Sequence, residues 1–264
     1  HLYYPTALGI QIVQEKSILI PTVHDEKASY YPVYKTVMQS PAWIVYNSAA
    51  EKHLAEKIYS VQQKQNVIAG VGIELPNLPV EKAVLTKYHI TGSYLVYIGR
   101  IEKGKGCAEL IRFFIEFKKK HPSTLQLVMI GKSYMELVEN ADIVYTGFVD
   151  ETEKLQLLLQ STLLVMPSKF ESLSMVLLEA MYYKKPVLVN QQCEVLHQHI
   201  AASKGGLSYS GANDFNDKLN TVLQNQQQSD EMGENGYQYV QQNYSWKTVL
   251  NKFNLIIADL TNKQ

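Results

Sequence analysis

Residues 163–180 read LLVMPSKFESLSMVLLEA, and this stretch decides the fold. An apolar run of strand length stops at Pro167, a polar loop follows, and a helical pattern opens near Ser174. An apolar strand that leads through a short loop into a helix is typical of a parallel sheet covered by helices. The stretch therefore predicts a strand over 163–166, a helix over 174–183 and an α/β domain around them.

The alternation of strands and helices covers the rest of the chain as well. About the first 80 residues form a separate block, and two glycines and two prolines within residues 70–80 predict a linker after it. The predicted strands are 18–20, 43–46, 66–68, 94–98, 125–130, 143–145, 163–166 and 186–189. The predicted helices are 49–59, 107–120, 150–160 and 174–183. Beyond Gly211 the chain is predicted to be helical and rich in Gln and Asn, with a last amphipathic helix over 246–260.

Composition narrows the class of protein. Of the 264 residues, 46% are apolar and 19% charged, as in a globular protein with a buried core, and Lys plus Arg equal Asp plus Glu at 25 each. This balance argues against a dedicated nucleic-acid binder, which carries a basic excess. Cys107 and Cys193 have no metal-ligand spacing, so a reduced, cytoplasmic setting is expected. No apolar run approaches the ~20 residues of a membrane span.

The loop and helix after residue 166 carry two acidic side chains, Glu171 and Glu179. In a doubly wound sheet, ligands bind outside the carboxyl ends of the strands. The free N–H groups at the start of a helix suit a diphosphate. Two carboxylates at different positions along the helix axis could hold vicinal hydroxyls at opposite ends of one extended ligand. The alternative is that Glu171 begins a solvated loop and Glu179 is one more acid on a helix surface.

A second candidate segment is Gly99–Gly106, which follows a predicted strand and opens a helix. Arg100 and Lys105 would neutralise a leaving diphosphate by preorganised charge, unless they form only a surface basic cluster. The segment matches the nucleoside triphosphate-binding P-loop motif at Gly99, Gly104 and Lys105. Gly106, however, stands where that motif has the Ser or Thr that binds Mg²⁺. The P-loop interpretation is therefore disfavoured.

His24 follows the predicted strand 18–20, and residues 146–150 form a turn before a predicted helix. A lone histidine at a strand end is more often a polar structural residue than a catalytic one. The turn needs no function beyond helix capping, since Asp150 can cap the helix that follows.

Together these motifs resemble the group 1 glycosyltransferases, the family 4 class with the GT-B fold. The resemblance rests on Glu171-x7-Glu179 with the following Ala180-Met181, and on Gly99-Arg100 with Lys105-Gly106. It covers the chain from Ile18 to the last helix, with each motif in order at a predicted strand end. One departure is Ser172, because the family usually has Gly after the first Glu.

The resemblance implies roles for these positions. Arg100 and Lys105 would stabilise the departing phosphate, Glu171 would contact the donor sugar, Glu179 would hold the ribose, and His24 would face the donor sugar. The other positions implied in donor binding are Gly99, Ser172, Leu173, Ser174, Met175, Gly147, Phe148 and Val149, the last three lining the nucleobase pocket.

The resemblance also implies two Rossmann-like domains with parallel sheets, the first of them incomplete. Residues 1–80 would be the end of the acceptor domain plus linker, 81–245 the nucleotide-sugar domain, and 246–264 a helix that crosses back to the first domain. A complete acceptor domain would need roughly a hundred more residues before His1, so donor binding without turnover is one expected behaviour of the chain.

The implied activity is transfer of a sugar from a nucleoside diphosphate sugar to an acceptor hydroxyl, with retention of anomeric configuration. The acceptor would be a glycan, a lipid-linked sugar or a small molecule. The sequence has no Asp-x-Asp pair, so we expect no metal and no cofactor. A non-catalytic nucleotide-sugar-binding module and a nucleotide-sugar epimerase are the alternatives. We expect a cytoplasmic protein, with peripheral association at the inner membrane face left open.

Overall fold

The computed structural model describes residues 4–262, which divide into two compact units. Unit 1 contains the described residues up to 74, together with 170–173 and those from 242 onward. Unit 2 contains residues 75–169 and 174–241. Residues 70–80 form neither helix nor strand, as their glycines and prolines predict.

Unit 1 is built on a three-stranded parallel sheet in the order β1-β2-β3. Its strands are β1 (Ile18–Leu19), β2 (Trp43–Tyr46) and β3 (Gln65–Ile68), and its first helices are α1 (Tyr4–Gly9), α2 (Pro32–Gln39) and α3 (Ala49–Tyr59). The core lies between sheet and helices, where Ile44 and Tyr46 of β2 pack with Ala55 and Tyr59 of α3.

Unit 2 is built on a six-stranded parallel sheet in the order β6-β5-β4-β7-β8-β9. Its strands are β4 (Tyr94–Ile98), β5 (Gln126–Ile130), β6 (Ile143–Gly147), β7 (Leu163–Met166), β8 (Val187–Asn190) and β9 (Gly206–Tyr209). Counted within the unit, the order is 3-2-1-4-5-6, that of a doubly wound nucleotide-binding sheet. The order reverses between β4 and β7, so a ligand crevice is expected at the carboxyl ends of these two strands.

Seven helices among the described residues accompany this sheet. They are α4 (Ala83–Lys87), α5 (Cys107–Lys120), α6 (Glu151–Leu159), α7 (Met175–Tyr182), α8 (Glu194–Ser203), α9 (Ala212–Gln224) and α10 (Gln226–Tyr244). Helix α5 buries Leu110, Ile111 and Phe114, which recur at helical spacing, in the core of the unit. Every residue of β4 and β7 is buried, as expected for central strands covered on both faces.

The last helix, α11 (Trp246–Asn262), belongs to unit 1. The Nε1 of Trp43 donates a hydrogen bond to Asp259 over 2.9 Å, and the Nζ of Lys252 donates to the carbonyl oxygen of Ile68 over 2.9 Å. These bonds fix α11 on the β2–β3 side of the sheet. No helix within the described part of the chain has the length and hydrophobicity needed to cross a membrane.

Candidate functional site

The loops that follow β4, β5 and β7 are in direct backbone contact. Gly131, with φ +136°, lies so close to Gly99 that an added Cβ would stand 2.0 Å from the Gly99 carbonyl oxygen. Gly106, with φ +76°, would bring a Cβ to 2.3 Å from the carbonyl oxygen of Pro167. Only glycine fits at such contacts, so the segment after β4 lies against the segment after β7 at the crevice.

Arg100 has a fixed backbone and an exposed side chain. Its carbonyl oxygen accepts a hydrogen bond of 2.8 Å from the Tyr97 hydroxyl. Its guanidinium is paired with Glu102 at 3.3 Å, and 64% of the side chain is exposed. An exposed ion pair of this kind contributes about 0–1 kcal/mol, so Arg100 can exchange Glu102 for an anionic ligand at little cost.

Lys105 ends a 3-10 turn, Lys103–Lys105, directly before α5. Gly106 adopts the left-handed conformation and serves as the N-cap of α5. Lys105 is half-buried, whereas its neighbour Lys103 is exposed. Lys105 therefore directly precedes the capping residue of a helix whose first N–H groups and dipole favour anions.

The loop after β7 turns sharply into α7. Ser174 has φ +68°, in the left-handed region, and its hydroxyl accepts a hydrogen bond from the Leu177 N–H at 3.4 Å. Leu173 is buried, Ser172 is half-buried and Met175 is exposed. The helix begins at Met175 rather than at the predicted Ser174, because Ser174 is the capping residue.

The two predicted acidic residues fall in different units. Glu171 is half-buried and lies in the segment 170–173, which belongs to unit 1. Glu179 lies on α7 in unit 2. Arg100 and Lys105 also belong to unit 2. The clustering of segment 170–173 with unit 1 was not foreseen from the sequence.

Glu179 is buried and paired with a lysine. Only 8% of the residue is exposed, so it is not the surface acid of the alternative interpretation. Both carboxylate oxygens lie 3.0 Å from the Nζ of Lys154, which follows the start of α6. Burial raises the pKa of Glu179, and the positive charge of Lys154 opposes that rise.

The turn at the end of β6 presents an aromatic ring to solvent. Phe148 is 87% exposed, whereas Val149 is buried. The carbonyl oxygen of Gly147 accepts a hydrogen bond from the Gly131 N–H at 2.9 Å, which fixes the turn beside the loop after β5. An exposed ring on a fixed turn suits stacking against a flat ligand.

His24 lies in unit 1, in the loop after β1, and is half-buried. Its carbonyl oxygen accepts a hydrogen bond of 2.8 Å from the Ser29 hydroxyl. Among residues 4–262, no group of three or more His, Cys, Asp or Glu side chains is arranged to hold a metal ion.

Residues 88–239, more than half of the chain, match the family model of Glycosyl transferases group 1. The chain belongs to this family. It is 28% identical over 167 residues to alpha-1,3/1,6-mannosyltransferase ALG2 from Dictyostelium discoideum. That alignment covers 63% of this chain and 36% of the mannosyltransferase, so the chain spans about a third of its relative's length.

Solved structures of glycosyltransferases share the fold. Sucrose-phosphate synthase from Thermosynechococcus elongatus gives a TM-score of 0.72 at 17% identity, over 97% of this chain and 67% of that one. The pneumococcal O-GlcNAc transferase GtfA, solved in complex with UDP and GlcNAc, gives a TM-score of 0.68 at 16% identity. That match covers 92% of this chain and 52% of the transferase chain. The fold of this group 1 chain is therefore the α/β GT-B fold.

Two buried polar residues of this group 1 chain were missed by the motif analysis. In unit 1, Glu51 accepts hydrogen bonds from the Val23 N–H at 2.7 Å and the Asn47 N–H at 2.6 Å. In unit 2, the Nδ2 of Asn190 donates to the carbonyl oxygen of Pro167 over 3.1 Å. Glu51 stands three residues after Ser48, and this capping-box spacing was the signal that could have identified it.

Proposed function

We propose that the protein transfers a sugar from a nucleoside diphosphate sugar to an acceptor hydroxyl and retains the anomeric configuration. The observation that carries the proposal is the contact between Gly106 and Pro167, where the loops after β4 and β7 meet at the switch point of the unit 2 sheet. Membership of the group 1 family supports the same activity.

The leaving diphosphate is stabilised by charge from the protein. When the bond between the anomeric carbon and the phosphate oxygen breaks, negative charge grows on the diphosphate. Arg100 and Lys105 supply positive charge on the segment that leads into α5, and the N–H groups at that helix start add to it. We therefore expect no metal ion and no cofactor to be required.

Other positions hold the donor. Glu179 accepts from the ribose hydroxyls, and the Gly99 backbone lies beside the phosphates. Phe148, between Gly147 and Val149, stacks on the base. The backbone of Ser172, Leu173, Ser174 and Met175 supports the sugar and phosphates. The stacking of Phe148 is suggested by its exposed ring, and the other roles are carried over from the family motifs.

Glu171 and His24 are assigned to the sugar by the same motifs. Glu171 would accept hydrogen bonds from its hydroxyls. The departing phosphate takes the proton of the acceptor hydroxyl, so the reaction needs no dedicated basic side chain. Retention follows because the acceptor then attacks from the face that the phosphate leaves.

The proposal is tested by Arg100→Ala and Lys105→Ala, with Lys103→Ala as the matched control. Each of the first two changes should lower kcat by about 10²–10³-fold, because each removes charge that acts mainly in the transition state. Lys103 is exposed on the same turn, so its removal should leave turnover within about twofold.

The measurement is the rate of product formation over a range of donor concentrations, with UDP-, GDP- and ADP-sugars as donors and the activity assayed on the complete protein. Turnover close to that of the unchanged protein in either Arg100→Ala or Lys105→Ala would refute its assigned role.

A further inference from the structure

A cluster of three charged side chains lies where α6 meets α7 in unit 2. The Nζ of Lys154 lies 2.8 Å from Oε1 of Glu151 and 3.0 Å from each carboxylate oxygen of Glu179. The side chain of Glu151 is 67% exposed, whereas those of Lys154 and Glu179 are 16% and 10% exposed. The inner pair is therefore shielded from solvent and the outer partner is not.

The hydrogen bonds of this cluster leave acceptor capacity on Glu179. A carboxylate has about four lone-pair sites. Lys154 donates one hydrogen bond to Oε1, and within residues 4–262 Oε2 has no hydrogen-bond partner, although Lys154 lies within ion-pair distance of it. Buried polar atoms are rarely left without partners, and each exception needs a reason. A ligand with two neighbouring hydroxyl groups would supply the missing donors.

We propose that Lys154 is a positioning residue for the ribose of the donor: its ammonium group holds the Glu179 carboxylate ionised and in one orientation, so that the carboxylate accepts hydrogen bonds from the vicinal hydroxyls. This inference rests on the proposed function, in which Glu179 binds the ribose. Nothing in the family motifs assigns a role to Lys154.

The charge state of Glu179 matters because only the carboxylate form is a pure acceptor. A protonated carboxyl group would present an O–H toward hydroxyl donors and lose part of the binding energy. Burial favours that protonated form, and the charge of Lys154 works against it. The other groups that face Glu179 are Glu151, whose charge disfavours ionisation, and Tyr183, whose hydroxyl donates to the carbonyl oxygen of Pro76.

The charge of Lys154 is set by its burial and by the two carboxylates beside it. Burial alone would lower the pKa of Lys154, but the hydrogen bond with Glu151 and the charge of Glu179 raise it overall. Lys154 therefore stays charged at neutral pH.

The test is a binding cycle in the full chain. UDP, GDP and ADP, and the 2′,3′-dideoxy form of each, are titrated by calorimetry into the unchanged protein, Lys154→Met and the control Glu151→Gln. The nucleotide that binds the unchanged protein should bind Lys154→Met about tenfold more weakly at pH 7, since charge-assisted hydrogen bonds are lost. Glu151→Gln should stay within about twofold, because the exposed partner contributes little.

The dideoxy nucleotide separates positioning from a general structural effect. It lacks the hydroxyls that Glu179 is proposed to bind, so Lys154→Met should not weaken its binding further. The loss in Lys154→Met should also shrink as the pH is raised, because burial raises the pKa of Glu179 and without its counter-ion this carboxyl group ionises only at higher pH. Equal losses for both nucleotides, or a loss that does not change with pH, would overturn the role of Lys154.

Failure of the proposed function has a different signature. If none of the three nucleotides binds the unchanged protein, the nucleotide-sugar proposal falls, and the Lys154 inference falls with it. If Lys154→Met does not fold, Lys154→Gln takes its place, because glutamine can still donate to Glu179 but carries no charge.

Discussion

At the scale of single residues, Glu51 of unit 1 shows how one buried carboxylate can organise two loops. Its oxygens accept from the N–H groups of Val23 and Asn47, so it ties the loop that carries His24 to the loop after β2. Only 1% of the residue is exposed, and this burial raises the pKa of Glu51 to about 7 despite the two backbone hydrogen bonds. The folded protein therefore takes up a proton at Glu51 more readily than the unfolded chain does.

This proton uptake predicts a pH-dependent stability. Because the folded-state pKa lies above the ordinary value of 4.5, the contribution of Glu51 to the free energy of unfolding should fall as the pH rises from 4.5 to about 7. The fall amounts to about 3 kcal/mol. It is measured as the difference in urea unfolding free energy between the unchanged protein and Glu51→Gln, which does not titrate. The difference between the unchanged protein and Glu51→Ala should depend on pH in the same way, and Glu51→Ala should be less stable than Glu51→Gln at every pH. If neither difference changes with pH, the prediction is wrong.

Ser174 provides a second prediction at this scale, because it combines backbone strain with a helix cap. Its φ of +68° favours glycine, while its hydroxyl caps α7. Ser174→Gly should change the free energy of unfolding by no more than about 1 kcal/mol, since relief of strain offsets the lost cap. Ser174→Ala keeps the strain and loses the cap, so it should be destabilised by about 1 kcal/mol or more. Thermal unfolding compares them, and an alanine variant as stable as the glycine variant would exclude this account.

At the scale of elements, the site depends on how closely the start of α5 packs against the end of β7. A Cβ at position 106 would meet the carbonyl oxygen of Pro167, whereas a Cβ at position 104 would meet nothing within 4 Å. The two glycines stand in the same turn, so they form a matched pair.

Gly106→Ala should therefore destabilise the protein by about 2 kcal/mol or more, because it adds both a backbone clash and left-handed strain. It should also weaken nucleotide binding, since the segments after β4 and β7 would move apart. Gly104→Ala should change the free energy of unfolding by no more than about 0.5 kcal/mol. Urea unfolding and nucleotide calorimetry on both variants check this, and similar behaviour of the two would show that the packing is not critical.

Elements with a strong local pattern could be predicted from the sequence, and those that depend on distant partners could not. The strands 94–98 and 163–166 and the helix 107–120 have the predicted bounds. Strand β9 was missed because only two of its four residues are buried and the strand is defined by its pairing with β8. Helix α8 was missed because its apolar residues are interrupted by His197 and His199.

At the scale of the whole molecule, the motifs predicted the family, which the family match confirms. Which strand ends carry the site stays a prediction. The sequence could not predict the strand order, because that order is set by pairings between strands far apart in the chain. It also missed the Lys154–Glu179 pair, since the two residues are 25 positions apart on different helices. Long-range contacts of this kind leave no local pattern.

The return of α11 to unit 1 has a consequence for the order of events during synthesis. Trp43 and Ile68 leave the ribosome early, but their partners Asp259 and Lys252 leave it only after all of unit 2. Nearly all of unit 2 is a single stretch, so it can complete its sheet while the chain is still growing. Unit 1 is synthesised earlier, but it lacks α11 until the end of the described chain has been made. Its fold is therefore completed after that of unit 2.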